Sequence, residues 1–126
     1  MKEFRFQKLD VWQQARLLNK QIYQLSKSFP SHEAYALTSQ IRKASISVSS
    51  NIAEGSGRNS DTDFAHFLEI AYGSLMEVIS QLFLALDEGY ISQLQMDEIA
   101  FEADVLASQL VALSKALGRA SRTKTQ

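Results

Sequence analysis

The fold of this chain is decided by residues 50–86, which read SNIAEGSGRNSDTDFAHFLEIAYGSLMEVISQLFLAL. The glycine-rich part, residues 55–59, is the clearest break in the chain and is predicted to connect two helices. After the break, apolar residues recur at alternating steps of four and three, the heptad spacing of a helix seam that faces a shared core. The seam comprises Phe64, Leu68, Ala71, Leu75, Val78, Leu82 and Ala85.

The helix that contains this seam, predicted at about residues 61–88, carries more apolar surface than three neighbouring helices can cover. A surface helix normally keeps one broad polar face, and this one is apolar over most of its circumference. We therefore expect the extra apolar residues to contact another copy of the chain. The candidate oligomer interface comprises Tyr72, Met76, Ile79, Phe83 and Leu86.

Three further helices are predicted by the same spacing, at about residues 11–28, 32–53 and 93–117. With short connections, four such helices favour an all-α fold in which an antiparallel up-down-up-down bundle spans residues 1–118. Residues 119–126 have almost no apolar side chains and are predicted to form a disordered basic tail.

Local signals mark the ends of these helices. Asp10, Ser60 and Ser92 are suited to cap the starts of the first, third and fourth helices. Gly55 suits the left-handed position that follows the second helix, and Gly118 is predicted to end the fourth.

Composition limits the class of protein. The 126 residues fit one domain, and the single proline and five glycines favour long helices. Because there is no cysteine, disulfides, thiolate metal sites and cysteine nucleophiles are excluded. No apolar run reaches the roughly 18 residues of a membrane span, and the first residues lack a signal-peptide core. We therefore expect a cytoplasmic protein with no membrane partner.

The net charge of −1 hides a separation of charge along the chain. Residues 1–58 hold nine Lys or Arg and four Asp or Glu, whereas residues 59–118 hold one lysine and ten acids. One interpretation is that the opposite halves attract each other within the fold or between subunits. The other is that one face of an assembly is basic enough to hold a polyanion.

Catalytic and metal-binding patterns are weak. A di-iron bundle needs Glu-x-x-His on two helices, but only His32 and His66 are present, and His66 alone has an acid, Asp63, three residues before it. Ser56 between its two glycines has no preceding strand and is not a nucleophile elbow. We predict no enzyme, no metal and no cofactor, and no small-molecule substrate is evident.

Polar residues close to the predicted seams are candidates for a structural network. We hypothesise that Arg42 or Arg58 pairs with Glu54 or Glu77 and so fixes helix register or a subunit contact, because a buried charge needs a partner. A role of the same groups in holding a ligand is the alternative. The set comprises Arg42, Asn51, Glu54, Arg58, Ser74 and Glu77.

Basic residues outside the seams are candidates for binding nucleic acid through its phosphates, with strong salt dependence. The alternative is an ordinary solvated face. The candidates are Arg16, Lys20, Lys27, Arg42, Lys43, Arg58, Arg119, Arg122 and Lys124.

Several segments over residues 4–91 resemble the four-helix-bundle proteins encoded within intervening sequences of bacterial 23S ribosomal RNA genes. The segments include residues 9–13, 29–30, 40–44, 50–55, 67–71, 73–74, 81–82 and 89–90, with Arg58, Ser60, Asp63, Phe64 and Glu77. At Ser49, the family often has proline. The resemblance implies an antiparallel bundle and a ring-like homopentamer, and it does not imply an enzyme.

Relatives of that family include the accessory variability protein of diversity-generating retroelements, and these relatives are basic and look like partners of nucleic acid and reverse transcriptase. The resulting hypothesis is a self-associating accessory protein that binds RNA or a ribonucleoprotein. The alternative is a structural protein–protein interaction module without a nucleic-acid role.

Overall fold

The computed structural model describes the backbone of residues 2–125 and the side chains of residues 2–118. Within this part of the chain there are four α-helices and no strand, which confirms the all-α prediction. The helices are α1 (Asp10–Ser26), α2 (Leu37–Ser56), α3 (Asp61–Asp87) and α4 (Gln93–Thr125). Two short 3₁₀ turns precede α1 and α2, at Arg5–Lys8 and Ser31–Glu33.

The hydrophobic core lies between the four helices. Helix α1 packs against α2 and α4, and α3 packs against the same two helices. The buried residues of α3 are the seven seam positions predicted from the heptad spacing. Helix α1 buries its own row at the same spacing, namely Val11, Ala15, Leu18, Ile22 and Leu25.

The predicted caps of α3 and α4 are present. The Ser60 hydroxyl accepts a hydrogen bond from the Asp63 amide at 3.1 Å. At the start of α4, the Gln95 amide donates to the Ser92 hydroxyl at 3.1 Å, and the Ser92 amide donates to the Gln95 side chain at 2.9 Å. Gly89, with φ of 75°, supplies the left-handed residue after α3.

The second helix begins later than the sequence predicted. It starts at Leu37 instead of residue 32, because Ser31–Glu33 form a 3₁₀ turn after Pro30 and Ala36 has non-helical backbone angles of −121° and −106°. Helix α1 ends at Ser26, two residues before its predicted end.

The fourth helix is longer than predicted, since it runs through Gly118 to Thr125. A single glycine costs a helix only about 1 kcal/mol and does not by itself end one of this length. The expected disordered tail at residues 119–126 is therefore helical in its backbone as far as Thr125, and its side chains lie outside the described ones.

The backbone conformation predicted for Gly55 is also wrong. It lies inside α2, is buried, and does not occupy the left-handed position predicted for it. A Cβ atom at Gly55 would come within 2.7 Å of Phe67 Cβ and 3.0 Å of Phe64 Cδ1. The glycine is therefore required by the close approach of α3.

The contact between α1 and α4 is partly polar. The Gln14 side-chain amide donates to the Glu102 carboxylate at 2.6 Å and to the Glu102 carbonyl at 3.2 Å. The Gln21 side-chain oxygen is buried and has no hydrogen-bond partner among the described residues.

By length and composition, α3 is the described helix that is apolar enough to cross a membrane. Its buried seam packs against α2 and α4, as in the core helix of a multi-helix domain.

We predict that Gly55→Ala lowers the free energy of unfolding by about 1–3 kcal/mol, because the new methyl group overpacks the contact with Phe64 and Phe67. Chemical denaturation of the purified variant measures the change. Gly73→Ala is the matched control, since a Cβ there meets nothing within 4 Å. In a helix interior that change should raise stability by about 0.5–1 kcal/mol. Equal effects of the two substitutions would contradict the proposed role of Gly55.

Candidate functional site

A basic surface covers the outer side of α1 and part of α2. Arg16, Lys20 and Lys27 are exposed on α1, opposite its buried row, and Lys43 is exposed on α2. The three lysines make no ion pair with a described residue. Residues 11–32 and 34–53 contain no Asp or Glu, so α1 after Asp10 and α2 before Glu54 contribute no carboxylate to this surface.

Two aromatic rings on α1 hold arginines at this surface. The guanidinium carbon of Arg16 lies 5.6 Å from the centre of the Trp12 ring, and that of Arg42 lies 4.7 Å from the centre of the Tyr23 ring. Arg42 also donates from Nε to the Ser26 hydroxyl at 2.8 Å, which joins α2 to the end of α1. We call this set, Trp12, Arg16, Lys20, Tyr23, Lys27, Arg42 and Lys43, the α1–α2 basic surface.

The sequence analysis missed the two rings. Trp12 could have been found from its spacing, because Arg16 follows it by four residues and the two side chains meet on one helix face. Tyr23 and Arg42 lie on different helices, and no local pattern connects them.

Arg58 lies apart from this surface, beside the α2–α3 connection. Its Nη2 atom is 3.0 Å from the Glu54 carboxylate, and the side chains are 45% and 56% exposed. Such an exposed pair contributes at most about 1 kcal/mol. Its guanidinium also lies over the Phe67 ring at 4.6 Å, as those of Arg16 and Arg42 lie over their rings, but Arg58 alone of the three has an ion pair with a described residue. The side chains of the remaining candidates, Arg119, Arg122 and Lys124, lie outside those described.

The residues of the predicted polar network form separate groups. Arg42 contacts α1, and Arg58 pairs with Glu54. Asn51 donates to the Ser47 carbonyl at 2.8 Å, and the hydroxyls of Ser47 and Ser74 are 2.8 Å apart across α2 and α3. Ser47 was not among the predicted members, although it connects the other two.

Glu77, the last member of that network, is exposed and has no hydrogen-bond or ion-pair partner among the described residues. Neither candidate arginine reaches it, because each contacts groups elsewhere in the fold.

The candidate oligomer interface lies on the side of α3 that faces outward beside α4. Tyr72 and Met76 are 37% and 38% exposed, and Phe83 is 52% exposed. Ile79 and Leu86 are half-buried against the core. A groove of about 550 Å³ runs between α3 and α4, and a neighbouring groove of about 540 Å³ shares Tyr72 with it.

Helix α4 carries exposed apolar residues that the sequence analysis did not single out. Leu94 and Phe101 are 67% and 68% exposed, and their spacing of seven places them on one face. Val111 is 40% exposed and lines both grooves beside α3.

Two observations concern titratable groups in the described part of the chain. No group of three or more His, Cys, Asp or Glu residues there is placed to hold a metal ion. Desolvation raises the pKa of the Tyr90 phenol, and the nearby Glu33 and Glu88 carboxylates add to the shift. Tyr90 lies beside Phe29 and His32, distant in sequence from the basic surface.

The architecture and these surfaces define an all-α, four-helix protein. The chain belongs to the 23S rRNA-intervening sequence protein family, whose sequence model matches residues 7–112. This confirms the resemblance found in the sequence.

A solved structure shares the fold. It is the 1.70 Å crystal structure of a protein with unknown function from the S23 ribosomal protein family of Bacteroides thetaiotaomicron. The TM-score is 0.77 at 24% sequence identity, and the match covers 83% of this chain and 98% of the other. Among curated proteins, none matches this chain.

We predict that Ser74→Ala lowers the free energy of unfolding by about 0.5–1 kcal/mol, because the lost bond to Ser47 costs more than the helix propensity of alanine returns. Glu77→Gln should change it by less than about 0.5 kcal/mol, since the carboxylate is exposed and without a described partner. Denaturant titration at a fixed protein concentration compares the two. A larger loss for Glu77→Gln would show that this carboxylate has a structural partner after all.

Proposed function

We propose that this protein is a non-catalytic, cytoplasmic accessory protein that self-associates, each copy being an antiparallel up-down-up-down four-helix bundle. The observation that carries the proposal is the exposed apolar side of α3, where Tyr72, Met76 and Phe83 are exposed and Tyr72 lines the groove to α4. Removing such surface from water contributes about 25 cal/mol per Å².

The antiparallel course is supported by contacts between helix ends. Arg42, near the start of α2, bonds Ser26 at the end of α1. Gly55, near the end of α2, packs against Phe64 in the first turn of α3. Successive helices that meet at their connected ends run in opposite directions.

A head-to-tail assembly is supported by two unlike apolar surfaces. One consists of Tyr72, Met76 and Phe83 on α3, and the other of Leu94 and Phe101 on α4. Contact between unlike surfaces is heterologous and closes into a ring when the rotation between copies permits it. The resemblance described above supplies the number of copies, and we propose a homopentamer.

We predict that the double substitution Tyr72→Ser and Met76→Ser lowers the molar mass in solution, because it removes apolar surface from the proposed contact without opening the buried seam. Light scattering after size-exclusion chromatography measures the mass. Leu84→Ser is the control, since Leu84 is 53% exposed on α3 but lies outside this surface. A wild-type protein that is monomeric at micromolar concentration would contradict self-association.

A second proposed property is binding of RNA or a ribonucleoprotein. Its support is the α1–α2 basic surface, whose residues include no carboxylate and which repetition in an oligomer would multiply. The family name refers to an intervening sequence of 23S rRNA, which makes RNA the polyanion to test. The competing proposal is a structural module whose partner is another protein.

We predict that the protein binds 23S rRNA fragments at low ionic strength and releases them as salt increases. For single strands, the logarithm of the binding constant should fall by about 0.7 per neutralised phosphate for each tenfold rise in salt. Fluorescence anisotropy over a salt series measures the slope, with polyglutamate as a control polyanion. No RNA binding even at low ionic strength would favour the protein-partner alternative.

A further inference from the structure

We propose that the α1–α2 basic surface binds single-stranded RNA in preference to duplex RNA. Bases would stack on the Trp12–Arg16 and Tyr23–Arg42 pairs, while Lys20 and Lys27 contact phosphates. The inference rests on the proposed RNA binding and specifies the form of the ligand and the residues that select it.

The first argument is the placement of the two ring–arginine pairs. Trp12 and Tyr23 are eleven residues apart on α1, which is close to three full turns, so both rings lie on one edge of the helix about 16 Å apart. That edge faces α2, because Asn19 between them accepts a hydrogen bond from Ser45 of α2 at 3.0 Å. The two ring–arginine pairs therefore lie at the two ends of one continuous surface.

The second argument concerns what such pairs recognise. Unpaired bases stack on aromatic rings and on guanidinium planes, whereas bases inside a duplex have their faces covered by neighbours. Trp12 and Tyr23 are half-buried, and each holds a guanidinium over its ring. The Arg16 guanidinium held in this way presents a planar cation to a base and keeps N–H donors for a phosphate. The Arg42 guanidinium already donates from Nε to the Ser26 hydroxyl and from Nη2 to the Tyr23 carbonyl, so it contributes its plane and its charge.

The positive charges of this surface, which are unpaired in the described part of the chain, also favour the binding of phosphates. Lys20 and Lys27 are exposed between and beyond the two pairs and have no described partner. No carboxylate of residues 11–32 competes for them. Arg58 differs, because its ion pair with Glu54 offsets its charge.

The test compares a labelled, unstructured single-stranded RNA oligonucleotide with the same strand annealed to its complement. Arg16→Lys keeps the charge and removes the planar group, so it should weaken single-strand binding about tenfold and leave duplex binding within about twofold. Arg16 is exposed, and the change leaves the core intact. Fluorescence anisotropy at one fixed, low ionic strength measures both affinities.

A second variant isolates the phosphate contacts. The double substitution Lys20→Gln and Lys27→Gln should weaken both ligands and reduce the single-strand salt slope by about 1.4, because two phosphate contacts are lost. Lys2→Gln, at an exposed lysine that precedes α1 and lies outside this surface, removes a charge elsewhere and should leave RNA affinity unchanged. Light scattering of each variant checks that the assembly is preserved.

Equal affinity for single strand and duplex, or an Arg16→Lys variant that binds as wild type, would overturn the inference. If single-stranded and duplex RNA bind equally and the double lysine variant binds neither, the proposal of RNA binding is retained and the preference for single strands is rejected. If no RNA binds and the lysine variant instead loses molar mass, the surface contacts a second copy, and both RNA proposals fall while self-association stands.

Discussion

The close packing of α2 against α3 is the contact on which the rest of the structure depends. Gly55 admits the Phe64 and Phe67 side chains at a distance that any larger residue would prevent. Ser47 and Ser74 meet further along the same interface. Because α3 is held on one side by α2 and on another by α4, its seam is buried over its whole length and its remaining apolar residues stay outside. One helix therefore supplies both the core and the surface that we propose for assembly.

Charge is distributed by the same arrangement. Five of the nine basic residues of the first half belong to the α1–α2 basic surface, and the acids of the second half belong to α3, α4 and the turn between them. The exposed lysines of α1 and α2 have no described ion-pair partner, so the separation of charge in the sequence becomes a separation between surfaces. It leaves the basic side available to a ligand and keeps it apart from the apolar side of α3, which we propose for assembly.

Much of the fold could be predicted because its signals are local. The α3 seam and the Ser60 and Ser92 caps depend on spacings of three and four residues, which the sequence displays directly. The start of α2 could not be placed, because Pro30 is followed by a 3₁₀ turn that shares the helical residue preferences. Gly55 was misread for a different reason, since its role depends on a neighbour from the next helix. The candidate site was only partly predictable for the same reason. The arginines could be identified from the sequence as candidate phosphate-binding residues. The contact between Arg42 and the Tyr23 ring could not be predicted, because the two residues belong to different helices.

The polar contact between α1 and α4 has a consequence for how the chain opens. The Gln14 side-chain amide donates to Glu102, and the buried Gln21 side-chain oxygen has no described hydrogen-bond partner. A buried polar group without a partner lowers the free energy of unfolding by about 1–3 kcal/mol. Polar groups also lie between the other helices, but α1 and α4 share the smallest of the four helix–helix contacts, so we expect this boundary to open first. Amide protons of α1 should therefore exchange with solvent through partial opening events, whereas amide protons of α3 should exchange only through global unfolding. The helix that carries the basic surface is thus the one most free to adjust to what it meets.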